Sequence, residues 1–136
     1  AESYNHLGAF YVQVGENDKA RDFLKDAIAI REKAYGINSP VTAESFLSLA
    51  KLDLFSDNGT GAEALLKRIL DIQEKALGPD HPDLVRTLNT LAWLYIDSED
   101  FERTEPVAKR ALSISEKAFG PEHPYVADSL NYLGRL

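Results

Sequence analysis

Glu32-Lys33-Ala34-Tyr35-Gly36 returns as Glu74-Lys75-Ala76-Leu77-Gly78 and again as Glu116-Lys117-Ala118-Phe119-Gly120, 42 residues apart each time. The loop after it keeps the same spacing: Asn38-Ser39-Pro40, Asp80-His81-Pro82 and Glu122-His123-Pro124. A fixed period of this length means stacked supersecondary units, each unable to bury its apolar face without its neighbours. Cut by the period, the chain reads as one domain, 1–136, made of repeats 1–42, 43–84 and 85–126 with a partial fourth, 127–136, as an extra capping helix.

Within each unit the apolar spacing is helical. Tyr4, Leu7, Gly8, Tyr11 and Val14 recur at i, i+3, i+4 and i+7, and Phe46, Leu49, Ala50 and Leu88, Leu91, Ala92, Tyr95 repeat the pattern. A polar break follows, Gly15-Glu16-Asn17-Asp18 or Asp97-Ser98-Glu99-Asp100, and then a second amphipathic stretch such as Ala20, Phe23, Leu24, Ala27, Ile28. Gly36, Gly78 and Gly120 stand where that helix needs a left-handed C-terminal cap. The proline four residues later pre-sets φ for the next helix, and Pro106 falls in a first turn, where a missing N–H costs nothing. No segment alternates with the period of a strand.

Tyr4-x2-Leu7-Gly8-x2-Tyr11…Ala20-x3-Leu24 resembles the tetratricopeptide pattern Trp-x2-Leu-Gly-x2-Tyr…Ala-x3-Phe. The 42-residue form, with Glu-Lys-Ala-x-Gly-Pro-x-His-Pro between units, resembles kinesin light chain repeats. The resemblance implies an all-α, right-handed α-solenoid and a protein-binding role, since repeats of this type serve many unrelated proteins. Three places depart from the pattern: Asp53 stands at the core Tyr position, Thr104 at the small Ala position, and Gly59-Thr60-Gly61 loosens the start of a helix.

Composition narrows the function classes. A net charge of −7 argues against nucleic acid and anionic membrane surfaces, which require concentrated basic patches. The absence of cysteine removes thiol chemistry, disulfides and Cys-based zinc sites, and suits a cytoplasmic protein. No apolar run approaches a membrane span. The chain lacks an initiator Met and stops ten residues into a repeat, so an excised fragment is the expectation. Nothing singles out a catalytic pair among the 22 carboxylates, and His81 and His123, in successive loops, are too far apart to share zinc and more plausible as loop-shaping residues. No enzyme activity, cofactor or metal is expected.

What remains is recognition. The resemblance implies that the first helices line a concave groove. Asn5, Asn89 and Asn131 share one register there, interrupted by Leu47, and a column of Asn can pair with the backbone of an extended peptide. Lys51, Arg86 and Arg135 could hold a carboxylate, Trp93 could anchor an apolar side chain, and Leu54 adds apolar surface. The expected partner is therefore a protein or peptide segment. On this reading Asn89→Ala leaves folding intact and weakens binding. Two other readings are a self-assembly module forming weak homo-oligomers through Leu130, Leu133 and Leu136, and a regulatory or sensor segment of a larger protein, which could be an enzyme.

Overall fold

The computed structural model describes residues 16–54 and 59–136, and these contain helices and connecting turns with no strand. The helices are α1 Asn17–Tyr35, α2 Pro40–Leu54, α3 Gly59–Leu77, α4 Leu84–Asp97, α5 Phe101–Phe119 and α6 Pro124–Gly134. The helix expected over Tyr4 to Val14 lies outside the described residues. The chain divides into two compact units, 1–72 and 73–136.

In the first unit α1 packs on α2. Ala20, Leu24 and Leu52, all fully buried, form a small core with Leu49 against it. Asp53, at the register of the motif's core Tyr, is buried and lies 2.9 Å from the Arg21 guanidinium of α1. The departure in the second repeat is thus an ion pair, which keeps the buried carboxylate compensated. Arg68 of α3 sits over the ring of Phe46 at 5.1 Å, covering its face with a cation.

In the second unit α5 packs on both α4 and α6, and α4 also touches α6. Leu84, Val85, Leu88, Ala92, Ala108, Ala111 and Val126 are buried there almost completely. Thr104, at the Ala position, is fully buried and returns its hydroxyl to the Asp100 carbonyl at 2.7 Å, so no polar atom is stranded.

The repeated pentapeptide ends α1, α3 and α5. The Gly36, Gly78 and Gly120 amides donate to the carbonyls of Glu32, Glu74 and Glu116. Their conformation differs from the expected left-handed cap: Gly36 has φ 86°, ψ 158° and Gly120 φ 82°, ψ 166°. That region is more restrictive than the left-handed helical one and is essentially confined to glycine. A Cβ built on any of the three would meet nothing within 4 Å, so backbone strain, not crowding, demands the glycine.

Two local expectations are corrected. Pro106 is the sixth residue of α5, inside the helix rather than in its first turn, so the Glu102 carbonyl loses its intrahelical donor. Both residues are exposed, which leaves that carbonyl to water. Helices α2 and α6 open on Pro40 and Pro124, but α4 opens two residues after Pro82, because the preceding turn closes with shorter bonds from Leu84 to His81 and from Val85 to Pro82.

The turn between α4 and α5 is a Schellman closure. Asp100 N–H reaches Tyr95 O at 2.8 Å and Glu99 N–H reaches Ile96 O at 3.0 Å, with Glu99 at φ 58°. Asp100 then caps α5, accepting from the Arg103 amide at 3.1 Å and from its guanidinium at 2.6 Å.

Candidate functional site

Helix α4 is buried at ten positions, and the four that reach solvent are Arg86, Thr90, Trp93 and Asp97. They fall at i, i+4, i+7 and i+11, one straight ridge along the helix. The same register recurs elsewhere. On α2 it holds Glu44, Ser48 and Lys51; on α6 it holds Asp128, Tyr132 and Arg135, all exposed or partly exposed. Glu44 lies 3.2 Å from the buried Arg31 guanidinium, which ties one end of its strip to α1. Burial, and then Asp128, raise the Tyr132 hydroxyl above its ordinary range, while Arg135 pulls the other way. The ridge thus alternates acid, base, hydroxyl and one indole.

The Asn column is one register away and faces inward. Asn89 is 6% exposed; its amide donates to Tyr125 O at 3.2 Å and its oxygen lies 2.8 Å from the Ser129 hydroxyl. That hydroxyl is also 2.9 Å from Tyr125 O, and has one proton to give to one of the two. Asn89 therefore joins α4 to α6. The expectation that it is an exposed groove residue whose loss leaves folding intact is corrected: an amide bridging two helices in a buried joint carries stability. Leu47, at the same register, is 3% exposed, a core residue rather than an open apolar pocket. Asn131 is exposed, and Asn5 lies outside the described residues.

The joint that Asn89 serves recurs with different donors. Arg31 donates to Val41 O at 2.8 Å and to Ser45 Oγ at 3.0 Å. Gln73, 42 residues on, donates to Asp83 O at 3.4 Å and accepts from Thr87 Oγ1 at 2.8 Å. The next residue in this series is Ser115, too short to reach across, and its hydroxyl turns back to Leu112 O. Asn89 fills that role from the neighbouring helix. Sequence reasoning missed the joint, although its signal was present: Arg31–Ser45 and Gln73–Thr87 are hydrogen-bonding pairs at an identical separation of 14.

The remaining expected residues are dispersed. Lys51 and Leu54 are partly buried on α2; Arg86 is exposed and Trp93 partly exposed on α4; Arg135 is exposed at the end of α6. His81 and His123 shape their loops as expected. Each accepts, through Nδ1, the backbone N–H two residues on, at 3.2 Å, as the Ser39 hydroxyl does at 3.3 Å. His123 also stacks on Phe119 at 4.4 Å. Among the described residues no group of three or more His, Asp or Glu side chains could hold a metal, and no helix is long and apolar enough to cross a membrane.

Comparison with known proteins agrees with this architecture. Two tetratricopeptide repeat family models match, one over residues 1–41 and one over 52–114. No protein with a curated description matches the sequence. Among solved structures, a point variant of a Podosopora anserina kinesin light chain with nearly identical TPR-like repeats superposes with TM-score 0.87 and 25% identity, over 98% of this chain and 63% of that one. A second structure of that protein gives TM-score 0.81 and 23% identity, over 98% of this chain and 67% of that one. BtubC (BKLC) from P. vanneervenii gives 0.80 and 20%, over 97% of this chain and 56% of that one. The chain thus spans roughly two thirds or less of the length of these relatives. With the 42-residue helical repeat, its glycine-closed hairpins and both family models in agreement, the chain belongs to the tetratricopeptide repeat proteins, of the kinesin light chain-like type.

Proposed function

We propose that the chain is a non-catalytic scaffold that binds a short peptide segment of a partner protein along the accessible ridge of its first helices, chiefly on α4. One observation carries this: α4 is buried everywhere except at Arg86, Thr90, Trp93 and Asp97. A helix that reaches solvent along one polar ridge with an indole in it offers a peptide an anchor and directional contacts. Trp93 supplies the anchor, Arg86 a partner for a carboxylate, and Thr90 and Asp97 polar contacts. Asn131 and Arg135 extend the surface on α6; in the other unit, Lys51 and Leu54 give α2 a cation and an apolar group of its own. Asn89 supports the ridge from behind rather than touching the ligand, and Asn5 continues its register in the sequence. The partner is a protein, not nucleic acid or membrane, in keeping with the charge of −7, and the cysteine-free sequence suits the cytoplasm.

Selection from a displayed peptide library on the intact chain tests the reading. Trp93→Ala should weaken the selected binders by about 2 kcal/mol or more, the usual scale of an aromatic anchor. Arg86→Ala should weaken acidic binders more than neutral ones, and the difference should shrink with salt. Binders indifferent to both substitutions would place the ligand elsewhere.

A further inference from the structure

Helix α4 carries its two exposed charges in the order that its own dipole disfavours. Aligned peptide dipoles leave a helix positive at its N-terminus and negative at its C-terminus, which favours acids in the first turn and bases in the last. Helices α1 and α5 follow that rule, with Asp18 and Glu102 in their first turns and Lys33 and Lys117 in their last. Helix α4 has no acid in its first turn and no base in its last: Arg86 stands in the first, and Asp97 is the final residue. Asp83, at the N-cap, makes no side-chain hydrogen bond to the helix end. Arg86 and Asp97 are both exposed, so neither serves the core. Charges that oppose the local rule are expected where a binding site, rather than the helix, requires them.

Resting on the peptide-binding reading above, we propose that the ligand of this ridge is a helical segment lying parallel to α4, with an acid near its start and a base near its end. Arg86, Thr90, Trp93 and Asp97 fall at i, i+4, i+7 and i+11, spanning about 16 Å at 1.5 Å per residue. A second helix has the same rise, so its own positions i, i+4, i+7 and i+11 form a matching stripe. An extended strand does not match. Its side chains recur on one face every 6.6 Å or so, which fits the roughly 6 Å from Trp93 to Asp97 but not the roughly 10 Å from Arg86 to Trp93. An acid at i then meets Arg86, and a base at i+11 meets Asp97. Apolar residues at i+4 and i+7 lie over Thr90 and Trp93. Thr90 gives its one hydroxyl proton to Arg86 O at 2.7 Å, so it offers the ligand no donor and suits an apolar neighbour. Acid first and base last is also the order that suits the ligand helix's own dipole, and a short helix depends on such help to form. An antiparallel segment would carry the reverse order against its own dipole.

Two labelled peptides of one composition, about 16 residues long and rich in Ala and Gln, test this on the intact chain by fluorescence anisotropy. One has Glu at i, Leu at i+4 and i+7, and Lys at i+11; the other exchanges the Glu and the Lys. The first should bind at least about fivefold more tightly at low salt, and Arg86→Glu combined with Asp97→Lys should reverse the preference. Trp93→Ala should weaken both peptides, and a Pro at i+5 should weaken the first at least about fivefold. Asp97→Lys alone should raise the denaturant midpoint, because α4 then ends on the charge its dipole favours. Circular dichroism checks that each variant is folded. Binding that depends on Trp93 but ignores charge order, or tolerates the Pro, overturns the helical ligand and leaves the peptide-binding reading standing. So does a first peptide that fails to bind at up to about 1 mM while library-selected peptides bind. A lowered midpoint for Asp97→Lys overturns it as well, because Asp97 would then serve the fold. If no peptide, designed or selected, responds to Trp93→Ala or to the charge reversal, the inference and the reading beneath it fall together.

Discussion

The amide of Asn89 is engaged at both ends, to Tyr125 O and to the Ser129 hydroxyl, inside a joint with 6% of the residue exposed. Truncating it to Ala leaves those two groups to satisfy one another, which the 2.9 Å approach of Ser129 Oγ to Tyr125 O allows. The loss is therefore expected near the low end for a buried hydrogen bond, about 1 kcal/mol, and a urea titration of Asn89→Ala should show it. Asp100 offers a test in pH. Its hydrogen bonds to the Arg103 side chain and amide hold its carboxyl below the ordinary range. A carboxyl depressed on folding contributes stability above its unfolded value, near 4, and loses it as pH falls through the lower folded value. Wild type should accordingly exceed Asp100→Ala in melting temperature at pH 7, and the gap should narrow as pH falls below about 4. The residue scale is also where the sequence was least legible. A helical wheel places Asn89 one step from the solvent ridge, and only the position of α6 decides that it turns inward.

Among the helices, α5 carries the clearest local conflict. It begins well, with the Asp100 cap, yet Pro106 interrupts its ladder one turn later. Proline inside a helix is roughly 3 kcal/mol less favourable than alanine, and Pro106 is exposed, so nothing in the core depends on its ring. Pro106→Ala should stabilise the chain by about 1 to 3 kcal/mol, read as a higher denaturant midpoint at unchanged slope. An unchanged midpoint would mean that the helix bends around the proline at no cost. Helix ends were largely legible, because Gly36 and Gly120 sit where φ is positive and ψ extended, a conformation other residues avoid. The late start of α4 was not, since its first turn is closed by shorter bonds that proline spacing does not specify.

For the whole molecule, the 42-residue period set the repeat type, and the match over 98% of the chain to a TPR-like repeat structure agrees with it. Period alone says which positions are equivalent, not which of them face a partner. That depends on what each helix covers, and it moved the candidate surface from the register of Leu47, Asn89 and Asn131 to that of Lys51, Trp93 and Arg135. The loop histidines fit the same logic: their equivalence with Ser39 was visible, but their role as acceptors of a backbone N–H required geometry. The surface reading is tested most directly by mapping amide and indole chemical shifts of the intact, isotope-labelled chain as a selected peptide is added. The account predicts that the largest changes fall on Arg86, Thr90, Trp93 and Asp97, with the Trp93 indole N–H among them. Changes confined to the loops around Pro82 and Pro124, with Trp93 unmoved, would contradict it.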